Sequence, residues 1–206
     1  MKIEMNFFII LFTVLICMIK QNVVYLIFFI SIFLHEIAHM ILGICMGLKP
    51  KRIIINPLGI DLEFMNFKLK NKTIKKILIY LIGPLFNFLI AFICYYLNIE
   101  KQMKIDIVYT NIILGVFNLL PLMPLDGGKI LKEILNKKIG IKKSSVFSLN
   151  LTKVILIIFS LIYSILIFKI KNIFLFFVIV YLWYLYYIEE KKVRTVIKVY
   201  NILDKV

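Results

Sequence analysis

The chain has 206 residues, of which 62% are hydrophobic and 18% are charged, and its formal net charge is +15. A soluble domain is usually closer to half apolar, so this composition excludes an ordinary water-soluble enzyme. The apolar residues form runs long enough to cross a hydrocarbon core of roughly 30 Å. The basic residues lie between these runs, where they meet anionic lipid headgroups. We therefore expect a protein of the lipid bilayer with no direct nucleic-acid binding.

Six apolar runs predict an all-α polytopic fold in a single membrane domain that fills residues 1–206. The first run could instead be a cleaved signal peptide. No small-residue cleavage site follows it, so we expect a retained helix. The second to fourth runs are expected to form a three-helix core, with the other three as accessory spans. The predicted spans cover about residues 5–19, 23–48, 74–98, 106–125, 149–168 and 172–188.

The basic residues predict the orientation of these spans. Of the 26 Lys and Arg residues, 21 lie at the N-terminus, in 49–76, in 129–153 and in the tail 191–205. Cytoplasmic segments carry such an excess of positive charge. We therefore predict that both termini and both long loops are cytoplasmic.

Two of these loops have a pattern of their own. Residues 53–67 turn at 56–59 and then alternate apolar with acidic side chains, which predicts a short β-hairpin on the cytoplasmic side. Its role is either that of a structural loop or that of an edge that receives a substrate strand. Residues 129–143 predict a basic amphipathic helix that lies on the membrane surface.

The second span contains the sequence His35-Glu36-Ile37-Ala38-His39. At 100° per residue the two histidines lie on one helical face, and imidazoles placed in this way can share one Zn²⁺ at about 2.0–2.1 Å. Glu36 can take a proton from a metal-activated water as the catalytic base. These are the 2 histidines of the chain, and ionisable groups within a membrane are costly and usually functional. The alternative is polar residues that merely bridge helices.

A catalytic zinc usually has three protein ligands, and elimination among the 11 acidic residues leaves Asp126 as the third. It lies at the inner end of the fourth span, between two prolines and two glycines that break the helix. The predicted topology places it on the cytoplasmic side, as it does both histidines. Cys45 lies about 120° around the helix from His39 and cannot readily join the same metal. The alternative for Asp126 is a solvated residue at an ordinary helix stop.

Two asparagines interrupt apolar spans close to these residues. Asn87 follows Gly83-Pro84 in the third span, and Asn118 precedes the proline-rich segment. Each can donate hydrogen bonds to a substrate backbone or to an oxyanion. Helix packing is the alternative role for both.

Three segments in this order resemble the site-2 proteases, zinc enzymes that cut transmembrane substrates. The segments are FLHEIAH (33–39), GPLFN (83–87) and NLLPLMPLDGG (118–128). The resemblance implies one zinc ion per chain, bound by His35, His39 and Asp126, with Glu36 as the base. It also implies regulated intramembrane proteolysis of a membrane-tethered protein substrate.

Within that family, the small size and motif placement are most similar to the stage IV sporulation protein FB branch. That branch implies a sigma-factor precursor as substrate, inhibitory membrane proteins as partners, and the mother-cell membrane around the forespore as location. Unlike many members of that branch, the chain is expected to have no C-terminal CBS domain, because few residues follow the last span, and no PDZ module is expected. The alternatives are a site-2-type protease with another membrane substrate, a metal-binding transporter or scaffold, and a proteolytically silent regulator.

Overall fold

The computed structural model describes residues 2–5, 22–56, 59–65, 73–170 and 173–203. These residues form three strands and six helices. They divide into two compact units, Met1–Leu119 and Leu120–Val206. The single domain that the sequence predicts remains a prediction.

The first unit contains a three-stranded sheet. Its strands are β1 (Lys2–Met5), β2 (Lys49–Asn56) and β3 (Gly59–Met65). β2 is central, parallel to β1 and antiparallel to β3. The β-branched isoleucines at 53–55 favour the extended backbone of β2. Its register shifts between Pro50 and Arg52, at a proline that has no N–H to donate to the ladder.

This sheet differs from the two-stranded hairpin predicted over 53–67. The antiparallel pair begins at Lys49, four residues earlier, and β1 adds a third strand. Met5 therefore ends a strand where the sequence predicts the start of a span. The rest of that predicted first span, 6–19, lies outside the described residues.

Three helices complete the first unit: α1 (Asn22–Cys45), α2 (Thr73–Tyr96) and α3 (Lys101–Asn118). Each packs against the other two, as the sequence predicts for the core spans. Small residues lie buried in these helices and allow close approach of the backbones. They are Ala38, Gly83, Ala91 and Gly115.

The third core helix ends earlier than predicted. α3 stops at Asn118, whereas the predicted span continues to residue 125. Pro121 and Pro124 have no backbone N–H to donate to a helical carbonyl, so the chain turns through 119–125 instead of extending the helix.

The second unit contains α4 (Asp126–Ile139), α5 (Ile141–Ile170) and α6 (Ile173–Leu203). The predicted amphipathic helix over 129–143 is interrupted by Gly140, whose φ of 81° favours glycine. α5 begins directly after it, eight residues before the span predicted from 149. α6 likewise continues beyond the predicted end at 188, into the basic tail.

Three helices within the described residues are long and apolar enough to cross a membrane. They are Val23–Cys45, Thr73–Tyr96 and Ile141–Ile165. Large apolar side chains lie on their outer faces, for example Leu26 and Phe92, which are 60% and 62% exposed. Such exposure suits contact with lipid. The six membrane passes stay a prediction.

An ion pair joins α4 to α6 in the second unit. Glu189 is buried, and its carboxylate lies 3.7 Å from the Lys132 ammonium of α4 and 3.4 Å from that of Lys192. A buried carboxylate requires such partners, because losing one leaves an uncompensated charge. The Lys132 pair therefore links α4 to α6, and the Lys192 pair lies within α6.

The segment that leads into α4 is fixed by α5. The Met123 N–H donates to Thr152 Oγ1 at 2.9 Å, and the Thr152 hydroxyl donates to the Ser148 carbonyl at 2.8 Å. A Cβ on Gly128 would lie 2.4 Å from the Leu122 carbonyl oxygen. The glycine therefore lets the segment fold back over the first turn of α4, which begins with Asp126.

Replacing Thr152 by valine is expected to destabilise the second unit by about 1–3 kcal/mol, because the buried Met123 N–H loses its acceptor. Thr152→Ser keeps the hydroxyl and is the control. Thermal unfolding in detergent micelles measures both. Equal unfolding temperatures for Thr152→Val and the wild type would show that this hydrogen bond does not hold the segment.

Candidate metal centre

Two histidine side chains meet inside the first unit. His35 and His39 lie one turn apart on α1 and are 3% and 6% exposed. Their Nε2 atoms are 3.1 Å apart, and the planes of the two rings are inclined at 82°. The structure thus confirms the shared helical face that the spacing predicts, and it points the same nitrogen of each ring to one place.

The other nitrogen of each ring is held by α2. His39 Nδ1 lies 2.5 Å from the Ile79 carbonyl oxygen, and His35 Nδ1 lies 2.6 Å from Asn87 Oδ1. A carbonyl oxygen only accepts hydrogen bonds, so His39 Nδ1 carries the proton and its Nε2 carries the lone pair. The same assignment follows for His35 if Asn87 presents its oxygen.

Two lone pairs that face each other at this distance require a cation between or beside them. Two neutral rings of this tautomer have no hydrogen to share at Nε2, so only an added proton or a metal ion makes the contact favourable. Imidazole nitrogens whose other N–H is bonded to a carbonyl or amide oxygen are ordinary zinc ligands. The donor set therefore fits zinc.

Gly83 leaves the space that such an ion needs. A Cβ placed on this residue would lie 2.4 Å from His39 Nε2 and 2.6 Å from His35 Nε2. Any larger residue would therefore occupy the space beside the two Nε2 atoms. The glycine of the predicted polar interruption in the third span thus has a steric role that its sequence context did not indicate.

Two further predicted site residues, Glu36 and Asp126, are each described within their own unit. Glu36 follows His35 on α1 and is partly exposed. Asp126 belongs to the second unit, where it is the first residue of α4, 5% exposed, and lies 3.7 Å from the Lys129 ammonium. The N-terminus of a helix favours a negative charge at this position. Its role as third ligand stays a prediction.

The two predicted asparagines differ from each other. Asn87 is fully buried and its amide contacts His35 and a second asparagine, Asn111. Asn118 is partly buried and donates to the Leu114 carbonyl of its own helix at 3.1 Å. The structure therefore brings Asn87 to the histidine pair and places Asn118 at the end of α3.

Sequence reasoning missed Asn111 and Ser31. Asn111 is 0% exposed and Ser31 is 4% exposed, and they are hydrogen-bonded to each other at 3.0 Å. The sequence could have indicated Asn111, because its amide lies in the middle of an apolar run, where a polar group needs a hydrogen-bond partner. Cys45, in contrast, is exposed, and the structure gives no reason to add it to the centre.

Replacing Gly83 by alanine is expected to lower the zinc content of the purified protein from about one ion per chain to a small fraction of that. The new Cβ would displace imidazole rings that are held by hydrogen bonds, although alanine itself favours a helix. Metal analysis of the purified protein measures the loss.

The matched control is Gly115→Ala on α3. Its Cβ would lie 2.7 Å from the ring of Phe88, a partly exposed side chain, and not beside a histidine ring. We expect this variant to keep its zinc. Wild-type zinc content in Gly83→Ala would contradict the steric argument.

The sequence matches the family model for peptidase family M50 over residues 23–104 and 102–162. A zinc metalloprotease of Methanocaldococcus jannaschii is 33% identical over 138 residues, which are 64% of this chain. The match spans 40% of the length of that relative.

A solved structure has the same fold. The site-2 protease from Methanocaldococcus jannaschii superposes with a TM-score of 0.70 and 28% sequence identity, over 91% of this chain and 89% of that one. The family model covers both histidines, Glu36 and Asp126. The chain therefore belongs to peptidase family M50, the site-2 protease family, and its long apolar helices make it an integral membrane protein.

Proposed function

We propose that the chain is an intramembrane zinc endopeptidase that hydrolyses a peptide bond in membrane-tethered protein substrates. One observation carries the proposal. The Nε2 atoms of His35 and His39 face each other at 3.1 Å in an apolar helix, and oxygen atoms of α2 contact the opposite nitrogen of each ring. A pair of histidines that only joined two helices would not need both Nε2 atoms at one place.

The proposed zinc ligands are His35, His39 and Asp126, with one ion per chain. Two imidazoles and a carboxylate would provide three protein ligands, the number that catalytic zinc sites usually have. When bound, zinc supplies a Lewis acid that polarises the scissile carbonyl and brings the pKa of water to about 7. Asp126 suits this role because it is a buried carboxylate on a segment fixed by Thr152.

Glu36 is the proposed catalytic base. Its position next to His35 places a carboxylate beside the metal-binding face without using that face. The carboxylate accepts a proton from the attacking water and then gives it to the nitrogen of the leaving amine. Glu36 thereby returns to its unprotonated state.

The substrate contacts and the biological setting are proposed on the sequence motifs. Asn118, partly buried at the end of α3, is the proposed contact to the substrate backbone. A sigma-factor precursor of a spore-forming cell is the proposed substrate, because the motif placement and small size resemble the stage IV sporulation protein FB branch. Inhibitory membrane proteins and the mother-cell membrane around the forespore belong to the same proposal.

The orientation in the membrane is also proposed. The excess of basic residues in alternate connections supports six passes with both termini in the cytoplasm. In that orientation both histidines and Asp126 lie toward the cytoplasmic side, where a membrane-associated pro-sequence would arrive.

Replacing Glu36 by glutamine is expected to lower the cleavage rate by about 10²–10⁴-fold, since the amide cannot accept the proton. The zinc content should stay at the wild-type level, because Glu36 is not a proposed ligand. Co-expression with membrane-tethered sigma-factor precursors, followed by immunoblotting for the shortened product, measures cleavage. The control is Glu190→Gln, the same change at a residue that pairs with Arg194 on α6.

Asp126→Ala belongs in the same experiment and separates ligand from base. We expect it to lose both zinc and cleavage, whereas Glu36→Gln loses cleavage alone. Normal cleavage by Glu36→Gln would overturn the mechanism. Full zinc occupancy in Asp126→Ala would remove Asp126 from the ligand set.

A further inference from the structure

A chain of buried polar groups joins the three helices of the first unit. It runs from the Ile107 carbonyl of α3 through Asn111 to Asn87 of α2 and ends on His35 of α1. Ser31 of α1 is attached to it as a side branch. Both asparagines are 0% exposed, although the surrounding helix faces are apolar. An amide in such surroundings is costly unless its donors and acceptors are satisfied.

The direction of these hydrogen bonds is set at the Ile107 carbonyl. That oxygen can only accept, so the group of Asn111 that lies 2.9 Å from it must be the amide nitrogen, Nδ2. The second proton of Nδ2 points to Ser31 Oγ at 3.0 Å. The oxygen of Asn111 is then the group that faces Asn87.

The same reasoning continues to the histidine. Asn87 must present its own Nδ2 to the oxygen of Asn111, from which it is 3.3 Å away. Its Oδ1 therefore faces His35 Nδ1, at 2.6 Å, and can only accept a proton from it. Thus the Ile107 carbonyl, two side chains away, decides which nitrogen of His35 carries the hydrogen.

We propose that Asn111 is a positioning residue that acts through Asn87 to keep the hydrogen of His35 on Nδ1 and its lone pair on Nε2. The proposal rests on the proposed function, in which this lone pair binds zinc. His39 needs no such relay, because its Nδ1 contacts the Ile79 carbonyl directly. Both ligands are thus oriented by backbone carbonyl oxygens, one directly and one through two asparagines.

This role differs from the substrate contact predicted for Asn87. The amide of Asn87 has one end on His35 and the other on Asn111, and no part of its side chain is exposed. Turning the amide toward a substrate would break both hydrogen bonds. The buried amide thus serves the metal ligand.

Asn111→Leu tests the relay, because leucine has nearly the same size and no hydrogen-bonding group. Asn87 then loses its acceptor and can rotate to offer an N–H to His35, which favours the tautomer that cannot bind a metal through Nε2. Loss of a partner behind a metal ligand typically weakens metal binding by about 10–100-fold. The measurement is the zinc affinity of the purified protein in detergent, by competition with a chelator.

Two controls separate orientation from general damage. Asn118→Leu makes the same change on the same helix, at a side chain that, among the described residues, bonds the Leu114 carbonyl of its own helix. Ser31→Ala removes the side branch but leaves the Ile107 carbonyl to set the direction. The zinc affinity of both variants should stay within about threefold of the wild-type value. This change is much smaller than the loss expected when a metal ligand loses its hydrogen-bond partner.

The decisive variant is Asn87→Asp combined with Asn111→Leu. A carboxylate has only acceptor oxygens to present to His35, so it keeps the hydrogen on Nδ1 whatever lies behind it. We expect the double variant to bind zinc at least tenfold more tightly than Asn111→Leu alone. A gain of this size is a substantial part of the affinity that a hydrogen-bond partner behind a metal ligand provides. A residue that only filled space would show no such recovery.

The failures of the two proposals are distinguishable. If the wild type binds zinc and Asn111→Leu binds it equally well, the result contradicts the positioning role of Asn111 but not the proposed function. Unrecovered loss in the double variant, with unfolding temperatures lowered in both, would assign Asn111 to packing and overturn the relay. A wild type that binds no zinc would overturn the relay together with the proposed metal site.

Discussion

The arrangement of the first unit depends on one contact, in which His35 Nε2 and His39 Nε2 lie 3.1 Å apart. Two lone pairs at that distance in an apolar helix repel each other unless a cation is present. Holding them there requires that both opposite nitrogens be fixed, and α2 supplies an oxygen for each. It also requires space beside the pair, and Gly83 leaves it.

The close packing of the three core helices follows from the same constraint. Side chains of α1, α2 and α3 must approach closely for the hydrogen bonds from Ile107 to His35 to form, and the small buried residues Ala38 and Ala91 allow it. Polar groups in these helices are costly if they are left unpaired. The network therefore specifies how α2 and α3 are rotated around their axes, because rotating either helix would leave buried amides without partners.

In the second unit, turn residues and a hydrogen bond fix the backbone that precedes Asp126. Pro121 and Pro124 end the helical pattern, Thr152 accepts the Met123 N–H, and Gly128 lets the segment fold back. Asp126 then begins α4 from a defined position. The ion pair between Glu189 of α6 and Lys132 links the last helix of this unit to α4.

The sequence predicted what depends on local spacing. The histidine face, the three core helices and the break before Asp126 follow from helical periodicity, apolar length and proline chemistry. It did not predict β1, whose partner β2 lies about fifty residues away, because pairing between distant segments leaves no local pattern.

The role of Asn111 could not be read from the sequence either, since an asparagine in an apolar span does not show its partner. Asn87 was noticed, but its direction of hydrogen bonding depends on a carbonyl of another helix. Helix ends were predicted less well than helix existence. The end of α3 and the start of α5 depend on turn residues such as Pro121 and Gly140.

X-ray absorption at the zinc edge of the purified wild-type protein would show both whether zinc is bound and which atoms bind it. We expect about one zinc per chain, with two imidazole nitrogens and oxygen ligands at about 2.0–2.1 Å and no sulfur in the shell. A protein that binds no zinc, or a shell containing thiolate sulfur at about 2.3 Å, would contradict this expectation.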